Sequence, residues 1–250
     1  MSDKSDYSRG ENNYIRDIFD RIAPRYDLIN RVISLGQLNR WRRKMIDILQ
    51  PDEDSRVLDI CCGTGRLTFA LAKRVSEGHV IGVDFSREMI ERARESLDNC
   101  GYDGVEFQMG NAMDLEFPSS HFDCVVSAFG LRNISNLDKA LTEFKRVLKP
   151  GGKMVSLELG RPRNSMFRGL YNVYFHRIMP WIAGTIVGDR EPYVYFSASL
   201  KKFPDQEKLK QIYSEAGFDS VKYEELMAGT AVVHHSRLAC RERKSSPFRK

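Results

Sequence analysis

The chain has 250 residues, a formal net charge of +5 and 42% hydrophobic residues. That composition excludes a disordered or fibrous protein, and so small a charge is weak support for a nucleic-acid-binding function. None of the five cysteines has a partner at zinc-ligand spacing, so we interpret them as reduced thiols of a cytosolic protein. Residues 1–10 are too polar for a secretory signal, and no segment reaches the roughly 20 apolar residues of a spanning helix.

The first 50 residues carry two apolar stripes at helical spacing, separated by Pro24, and predict a helical lid. Further along, apolar strands alternate with amphipathic helices, and a turn is predicted at residues 150–152. The strands are predicted at 56–60, 79–84, 105–109, 122–128 and 153–159, and the helices at 66–75, 86–99 and 137–148. This alternation predicts an α/β fold with a doubly wound, mostly parallel sheet and right-handed crossovers.

Residues 161–200 interrupt the alternation and are rich in aromatic side chains, which predicts an inserted helical lid. A helix ending at a glycine follows at 206–217, and strands at 221–226 and 231–237 complete a seven-stranded sheet of Rossmann type. The chain is therefore divided into an N-terminal helical lid (1–50), a cofactor-binding core (51–160), an aromatic lid (161–200), a C-terminal helix and strand pair (201–240) and a flexible basic tail (241–250).

A short glycine turn after the first strand, followed by a carboxylate at the end of the second, predicts a nucleoside crevice. The turn is Cys62-Gly63-Thr64-Gly65, it follows Asp59, and Asp84 ends the second strand. Glycine lets a ligand approach the backbone, and an acid at this place can bind ribose hydroxyls. The third glycine of a dinucleotide motif is absent, which favours a ligand with ribose but no phosphate, such as S-adenosylmethionine. A plain strand–helix turn and a dinucleotide site are the alternatives.

Other strand ends add candidate ligands of the same crevice, because ligands of open α/β sheets lie at the carboxyl ends of the strands. Asn111 can bind an adenine edge, and Phe85 can cover the face of a base. Arg132 and Asn133 place a cation and an amide near the reactive end of the cofactor, where they can hold an anionic oxygen. The alternatives are a turn for Asn111, core packing for Phe85 and a salt-bridged loop for Arg132.

Specific sequence signatures occur at 19–30, Phe-Asp-Arg-Ile-Ala-Pro-Arg-Tyr-Asp-Leu-Ile-Asn, and at 129–133, Phe-Gly-Leu-Arg-Asn. Further matches lie at 58–65, 110–112, 148–152, 203–207 and 216–218. Together these segments resemble the ubiquinone/menaquinone biosynthesis C-methyltransferases over roughly residues 14–237. The chain departs from the family's pattern in having Arg66 in place of an acid, Cys61 in place of a smaller residue, Ala128 in place of a serine and Pro192 in place of a serine.

The resemblance implies a class I methyltransferase fold and transfer of a methyl group from S-adenosylmethionine, without a metal, to a ring carbon of a prenylated hydroquinone. The acceptor would be a demethylmenaquinol or a 2-methoxy-6-polyprenyl benzoquinol. Arg132 and Asn133 would hold or help deprotonate the phenol, and Tyr26 and Asp27 would close over the site. The predicted cofactor-binding residues are Asp59, Cys62, Gly63, Thr64, Gly65, Asp84, Phe85, Asn111 and Ala112.

The expected partners are the quinol and the surface of a membrane, touched by the aromatic lid and the basic residues 40–44. Nucleic acid is not expected as a partner, and a homodimer or a quinone-biosynthesis complex remains open. Three other functions compete with this one. The first is methylation of a different aromatic acceptor. The second is methylation of nucleic acid, for which residues 40–44 and the tail are the only support, and the third is a non-catalytic scaffold, favoured only by Cys61 and Arg66.

Overall fold

The computed structural model describes residues 3–188 and 191–240, so the predicted basic tail lies outside the described residues. A seven-stranded sheet with the order β3-β2-β1-β4-β5-β7-β6 forms its centre. The strands are β1 (Arg56–Ile60), β2 (His79–Asp84), β3 (Val105–Met109), β4 (Phe122–Ala128), β5 (Leu148–Leu159), β6 (Asp219–Leu226) and β7 (Ala231–Arg237). Among these strands β7 runs opposite to the other six, which confirms the predicted mostly parallel sheet.

Helices cover both faces of the sheet and its carboxyl edge. They are α1 (Asp3–Ile22), α2 (Tyr26–Ile33), α3 (Leu38–Leu49), α4 (Arg66–Ala72), α5 (Arg87–Cys100), α6 (Leu137–Val147), α7 (Ser165–Val173), α8 (Met179–Val187), α9 (Glu191–Lys202) and α10 (Gln206–Glu215). Short 3-10 turns occupy Ala23–Arg25 and Leu131–Asn133, and a π-helical turn spans Tyr174–Ile178. Over residues 3–188 and 191–240, no helix combines the length and apolar character that crossing a bilayer needs.

Side-chain caps fix where several helices begin. The Ser86 hydroxyl accepts a hydrogen bond from Met89 N at 3.2 Å at the start of α5, and Asn136 Oδ1 accepts one from Lys139 N at 2.9 Å at the start of α6. Helix α4 is shorter than predicted and ends at Ala72. After the helix ends, Val75 N donates to Leu71 O at 3.0 Å, and the chain then turns towards β2.

The predicted turn at residues 150–152 is wrong, because β5 already begins at Leu148. In the pairing of the two strands, Phe122 of β4 lies opposite Leu148 of β5, and Cys124 lies opposite Lys153. Between these two pairs β5 therefore contains more residues than β4. Gly151 adopts a φ of +80°, which a glycine tolerates. The Pro-Gly-Gly sequence therefore forms an irregularity within the strand, as β-bulges do.

The core lies on both faces of the sheet because successive strand residues point to opposite sides. On β1, Leu58 packs in the cluster that contains Phe144 of α6, whereas Val57 packs in the cluster that contains Leu71 of α4. A third cluster joins α2 to the helices of residues 165–202, which places the two predicted lids against each other at the carboxyl edge of the sheet.

Candidate functional site

The glycine turn after β1 is shaped by close packing. Gly63 and Gly65 have φ values of +55° and +78°. A Cβ on Gly65 would lie 2.5 Å from the ring of Phe107, and the ring of Tyr26 lies over Gly63. The Cys62 side chain belongs to the apolar cluster around Phe107, so Cys62 can face a ligand only through its backbone. The turn therefore offers backbone and the Thr64 side chain to the carboxyl edge of the sheet.

Asp84 is buried at the end of β2 and is held by two backbone amides. Its Oδ2 accepts from Gly63 N at 2.9 Å, and its Oδ1 accepts from Ser86 N at 3.0 Å. Burial raises the pKa of Asp84 to about 6, while these hydrogen bonds oppose the shift. The group is therefore mostly ionised at pH 7, and each carboxylate oxygen keeps a lone pair for a hydroxyl donor.

A cavity of about 360 Å³ opens beside Asp84 and is large enough for a nucleoside. Phe85, Asn111 and Ala112 line it, so the structure brings these predicted residues together with Asp84. Asn111 Oδ1 accepts from Met113 N at 3.0 Å, which leaves its amide nitrogen to donate. Met109 also lines the cavity, although it was not predicted as a site residue. Its position at the end of β3, directly before Gly110, was the available signal. We call this space the first cavity.

A second cavity adjoins the first, because Cys61 lines both. Aromatic side chains from separate helices and loops form much of its wall: Tyr26, Trp41, Phe129, Phe175 and Phe196. Thr64 and Asp59 line the same space. The turn after β1 thus lies between the first cavity, which contains Asp84 and Asn111, and an aromatic one.

The environment of Asp59 indicates whether a nucleoside that carries an amino-acid group fits this site. Its Oδ2 accepts from Thr68 Oγ1 at 2.7 Å, but its buried Oδ1 has no hydrogen-bond partner within the described chain. Burial raises the pKa of Asp59 to about 7, opposed by the Thr68 hydrogen bond and by Arg42. A buried carboxylate oxygen without a donor is unfavourable unless a ligand supplies one. The ammonium of S-adenosylmethionine is such a donor, so the residues fit this cofactor.

Arg132 provides the second cavity with a fixed cation. Its Nη1 donates to Phe129 O at 2.6 Å and to Glu158 Oε2 at 3.1 Å, and the two side chains are only 6% and 3% exposed. The guanidinium also lies over the Phe196 ring, 4.9 Å from its centroid. Burial raises the pKa of Glu158, and the charge of Arg132 opposes that shift. Glu158 was not among the site residues predicted from the sequence, although an acid in an apolar strand was a visible signal.

Asp27 connects the N-terminal helices to the cofactor turn. Its Oδ1 accepts from Thr64 Oγ1 at 2.8 Å, and its Oδ2 accepts from Arg66 Nε at 2.7 Å. Arg66, one of the departures from the family's pattern, is therefore paired with Asp27. Tyr26 lines the second cavity beside it, and burial raises the pKa of its hydroxyl. A closing role for Tyr26 and Asp27 stays a prediction that this arrangement supports.

Asn133 does not share a cavity with Tyr26. It lines the first cavity, and its Oδ1 accepts from Tyr195 Oη of α9 at 3.3 Å. Of the predicted catalytic residues, Arg132 and Tyr26 line the second cavity and Asn133 and Asp27 do not. In the part of the chain that the structure describes, no three His, Cys, Asp or Glu side chains gather as metal ligands would.

Comparisons with known proteins agree on one family. The model of the ubiE/COQ5 methyltransferase family matches residues 7–237. A demethylmenaquinone methyltransferase of Thermus thermophilus is 42% identical over 87% of this chain and 98% of its own length. The ubiquinone/menaquinone biosynthesis C-methyltransferase UbiE of Methylococcus capsulatus is 37% identical over 89% of this chain and 90% of its own length.

Solved structures show the fold at lower sequence identity. A SAM-dependent methyltransferase from Aquifex aeolicus has a TM-score of 0.60 at 20% identity, covering 79% of this chain and 89% of its own. The [4+2]-cyclase SpnF has a TM-score of 0.66 at 17% identity, covering 89% of this chain and 94% of its own. Because one of these two is named for a cyclisation, the fold alone does not define the reaction.

Proposed function

The chain belongs to the ubiE/COQ5 methyltransferase family, and we propose on that basis that it transfers the methyl group of S-adenosylmethionine to a ring carbon of a prenylated hydroquinone. The observation that carries the proposal is the junction at Cys61, where a nucleoside-sized cavity that contains Asp84 and Asn111 meets an aromatic cavity that contains Arg132. Such a junction places a bound methyl donor next to a bound ring.

The chemistry divides between the ligands and the protein. S-adenosylmethionine supplies a methyl group that is already activated on a sulfonium, and the hydroquinone loses one proton overall as its ring carbon gains the methyl. The chain has to hold the ring in line with the donor and exclude water, and this positioning supplies much of the acceleration. Arg132 stabilises the phenolate oxygen that makes the ring carbon nucleophilic, since its guanidinium is already desolvated and fixed by Glu158.

The second cavity is narrow, with a volume of about 60 Å³. A cavity of roughly 150 Å³ holds benzene in another protein, so a hydroquinone ring needs more space than this. Because α2 and the helices of residues 165–202 form part of the wall, we expect these helices to separate when the acceptor enters.

An exposed apolar face on the aromatic lid supports contact with a membrane, where a prenylated acceptor resides. Met166 is 83% exposed and Trp181 is 62% exposed, and Leu170, Val173 and Ile178 are also exposed between them. Aromatic and aliphatic side chains on a helix suit the headgroup boundary of a bilayer. The basic residues 40–44 are a poorer candidate, because Lys44 pairs with Glu224 at 2.7 Å and Arg42 lines the second cavity.

Flotation with anionic vesicles tests this contact. We expect Met166→Ser/Trp181→Ser to bind vesicles less than the unaltered chain, while Arg43→Ser, from the exposed side of α3, binds nearly as well. Equal binding by all three proteins would reject the lid as the contact surface.

The proposed reaction is tested by incubating the protein with isotopically labelled S-adenosylmethionine and a panel of short-chain quinols, and by identifying products by mass. We expect methylation of reduced naphthoquinols or benzoquinols and none of the oxidised quinones, whose ring carbons are electrophilic. Methylated nucleic acid, or the absence of any methylated quinol despite cofactor binding, would contradict the proposal.

A further inference from the structure

Arg42 on α3 is a cation that faces the second cavity without an acidic partner. Its Nε is buried and has no hydrogen-bond partner in residues 3–188 and 191–240, and its Nη1 makes one long hydrogen bond, 3.4 Å, to Asn39 Oδ1. No ion pair of Arg42 occurs within the same described residues. Burial lowers the pKa of Arg42, and the nearby Tyr26, Asp27 and Asp59 oppose that shift. Arg42 is half-buried, and a buried guanidinium N–H without an acceptor is unfavourable unless a ligand supplies one.

The other cations of the cavity are already paired. Arg66 donates to Asp27 at 2.7 Å, and Arg132 donates to Glu158 at 3.1 Å. Arg132 Nε is also without a hydrogen-bond partner in the described residues, but the charge of Arg132 is already matched by Glu158, so Arg42 is the lining cation whose charge no carboxylate within hydrogen-bond distance matches.

Asp59 has the complementary property in the same cavity. Its Oδ1 is buried without a donor, and no ion pair within the described chain joins it to Arg42, although both line this cavity. A cation site and an anion site that face one space without touching each other suit a ligand carrying both charges. An α-amino acid in its zwitterionic form is such a ligand.

We infer that Arg42 binds the carboxylate of the methionine end of the cofactor while Asp59 binds its ammonium. This inference rests on the proposed function. It assigns Arg42 as a cofactor-binding residue and gives the orientation in which the cofactor lies across the two cavities. The adenosine then occupies the first cavity, and the methionine end passes Cys61 and the glycine turn into the second. Arg42 recognises the charge with a planar fork that matches a carboxylate.

Ligands that lack parts of the methionine end separate this role from others. Decarboxylated S-adenosylmethionine keeps the ammonium but lacks the carboxylate, and 5′-methylthioadenosine lacks both. We expect Arg42→Met, which keeps the aliphatic packing, to weaken S-adenosylmethionine binding by roughly 10- to 100-fold, as a lost charge-assisted hydrogen bond does. The affinities for decarboxylated S-adenosylmethionine and for 5′-methylthioadenosine should change little. Isothermal titration calorimetry measures all three.

Arg43→Met is the matched control, because Arg43 is the next residue on α3, is exposed and bonds only Asn39 O, at 3.3 Å. It should leave the affinity for all three ligands unchanged. Unchanged binding of S-adenosylmethionine by folded Arg42→Met, or an equal loss for decarboxylated S-adenosylmethionine, would overturn the inference and leave the proposed function standing. Failure of the unaltered protein to bind S-adenosylmethionine at all would instead overturn the proposed function.

Discussion

The two cavities that meet at Cys61 are built in different ways. The first is formed mainly by strand ends and the turns after them, with Asn13 and Arg16 of α1 completing its wall, and two backbone amides hold Asp84 at 2.9 and 3.0 Å. The second takes much of its wall from helices distant in sequence, and its fixed charge depends on the buried Arg132–Glu158 pair. Substitutions in the first cavity should therefore change cofactor affinity, whereas those around Arg132 should change turnover.

Removing Arg132 should have the largest effect. Arg132→Ala leaves Glu158 as a buried carboxylate without its partner, so we expect the free energy of unfolding to fall by about 3–5 kcal/mol. Methyl transfer at saturating cofactor should fall by a factor on the order of 100 or more, because a charge that stabilises the phenolate is lost. Chemical denaturation and product formation measure the two effects.

A paired variant separates these effects. Arg132→Met/Glu158→Gln removes both charges, and the carbonyl of the introduced amide can still accept from the backbone N–H of Leu131, which now donates to the Glu158 carboxylate at 2.7 Å. We expect most of the stability to return while turnover stays low. Normal turnover in the paired variant would show that Arg132 is structural. Arg132→Lys should restore little activity, since an ammonium lacks the planar fork.

Asp84→Ala should have the second largest effect, and on affinity rather than on turnover. We expect binding of S-adenosylmethionine to weaken by about 1.5–3 kcal/mol, the typical contribution of hydrogen bonds to a charged group. Binding of 5′-methylthioadenosine should weaken as much, because that ligand keeps the ribose. An unchanged dissociation constant in a folded variant would remove Asp84 from the ribose site.

The same contrast explains what the sequence could predict. Asp84 and Asn111 were predicted because the carboxyl ends of parallel strands meet at one edge, so position along a strand is enough. Arg42 was grouped with its basic neighbours because its inward direction depends on how α3 packs on the sheet, which no local pattern specifies. Glu158 was missed for a related reason: its partner lies 26 residues away in sequence, after β4. The Pro-Gly-Gly segment predicted a turn, but pairing with β4 kept it within the strand.

The pH dependence of binding tests the Asp59 side of the second cavity. Asp59, whose pKa is about 7, is faced by Thr68 from α4, Arg42 from α3 and Asp84 from β2. The ammonium of the cofactor requires the ionised carboxylate, so binding below pH 7 has to release a proton. We expect affinity for S-adenosylmethionine to fall by up to about tenfold per pH unit as the pH drops from 7.

Titrations with 5′-methylthioadenosine isolate Asp84, whose pKa is about 6, because that ligand has no ammonium. Its affinity should stay constant down to lower pH than that of S-adenosylmethionine. Asp59→Asn should bind S-adenosylmethionine more weakly at pH 8. Its affinity for S-adenosylmethionine should then vary with pH no more than its affinity for 5′-methylthioadenosine does. Identical pH profiles for the two ligands would contradict a contact between Asp59 and the ammonium.

The raised pKa of Asp59 also predicts the sign of its effect on folding. The folded chain holds this proton up to about pH 7, whereas an unfolded chain releases it near the ordinary value of 3.8. Folding therefore favours the protonated form, and the contribution of Asp59 to stability should decrease as the pH rises from about 4 to 7. Denaturation of Asp59→Asn across this range should show a smaller decrease, and an identical slope would contradict the shift.

The smallest effects should come from the contact between α2 and the cofactor turn. The Arg66–Asp27 pair lies near the surface, where such pairs contribute roughly 0–1 kcal/mol, so Arg66→Ala should change cofactor affinity and stability only slightly. Asp27→Ala should have a larger effect because it also removes the acceptor of the Thr64 hydroxyl. A greater loss in Arg66→Ala than in Asp27→Ala would show that Arg66 contacts the cofactor directly.

The division between cofactor binding by Arg42 and catalysis by Arg132, which both line the second cavity, is tested most directly by measuring the cofactor dissociation constant and the turnover at saturating cofactor in two variants. We expect Arg42→Met to raise the dissociation constant and leave turnover near that of the unaltered chain. Arg132→Met/Glu158→Gln should leave the dissociation constant nearly unchanged and lose turnover by a factor on the order of 100. If both variants changed the same quantity, or each changed the quantity expected of the other, the assignment of binding to Arg42 and of catalysis to Arg132 would be contradicted.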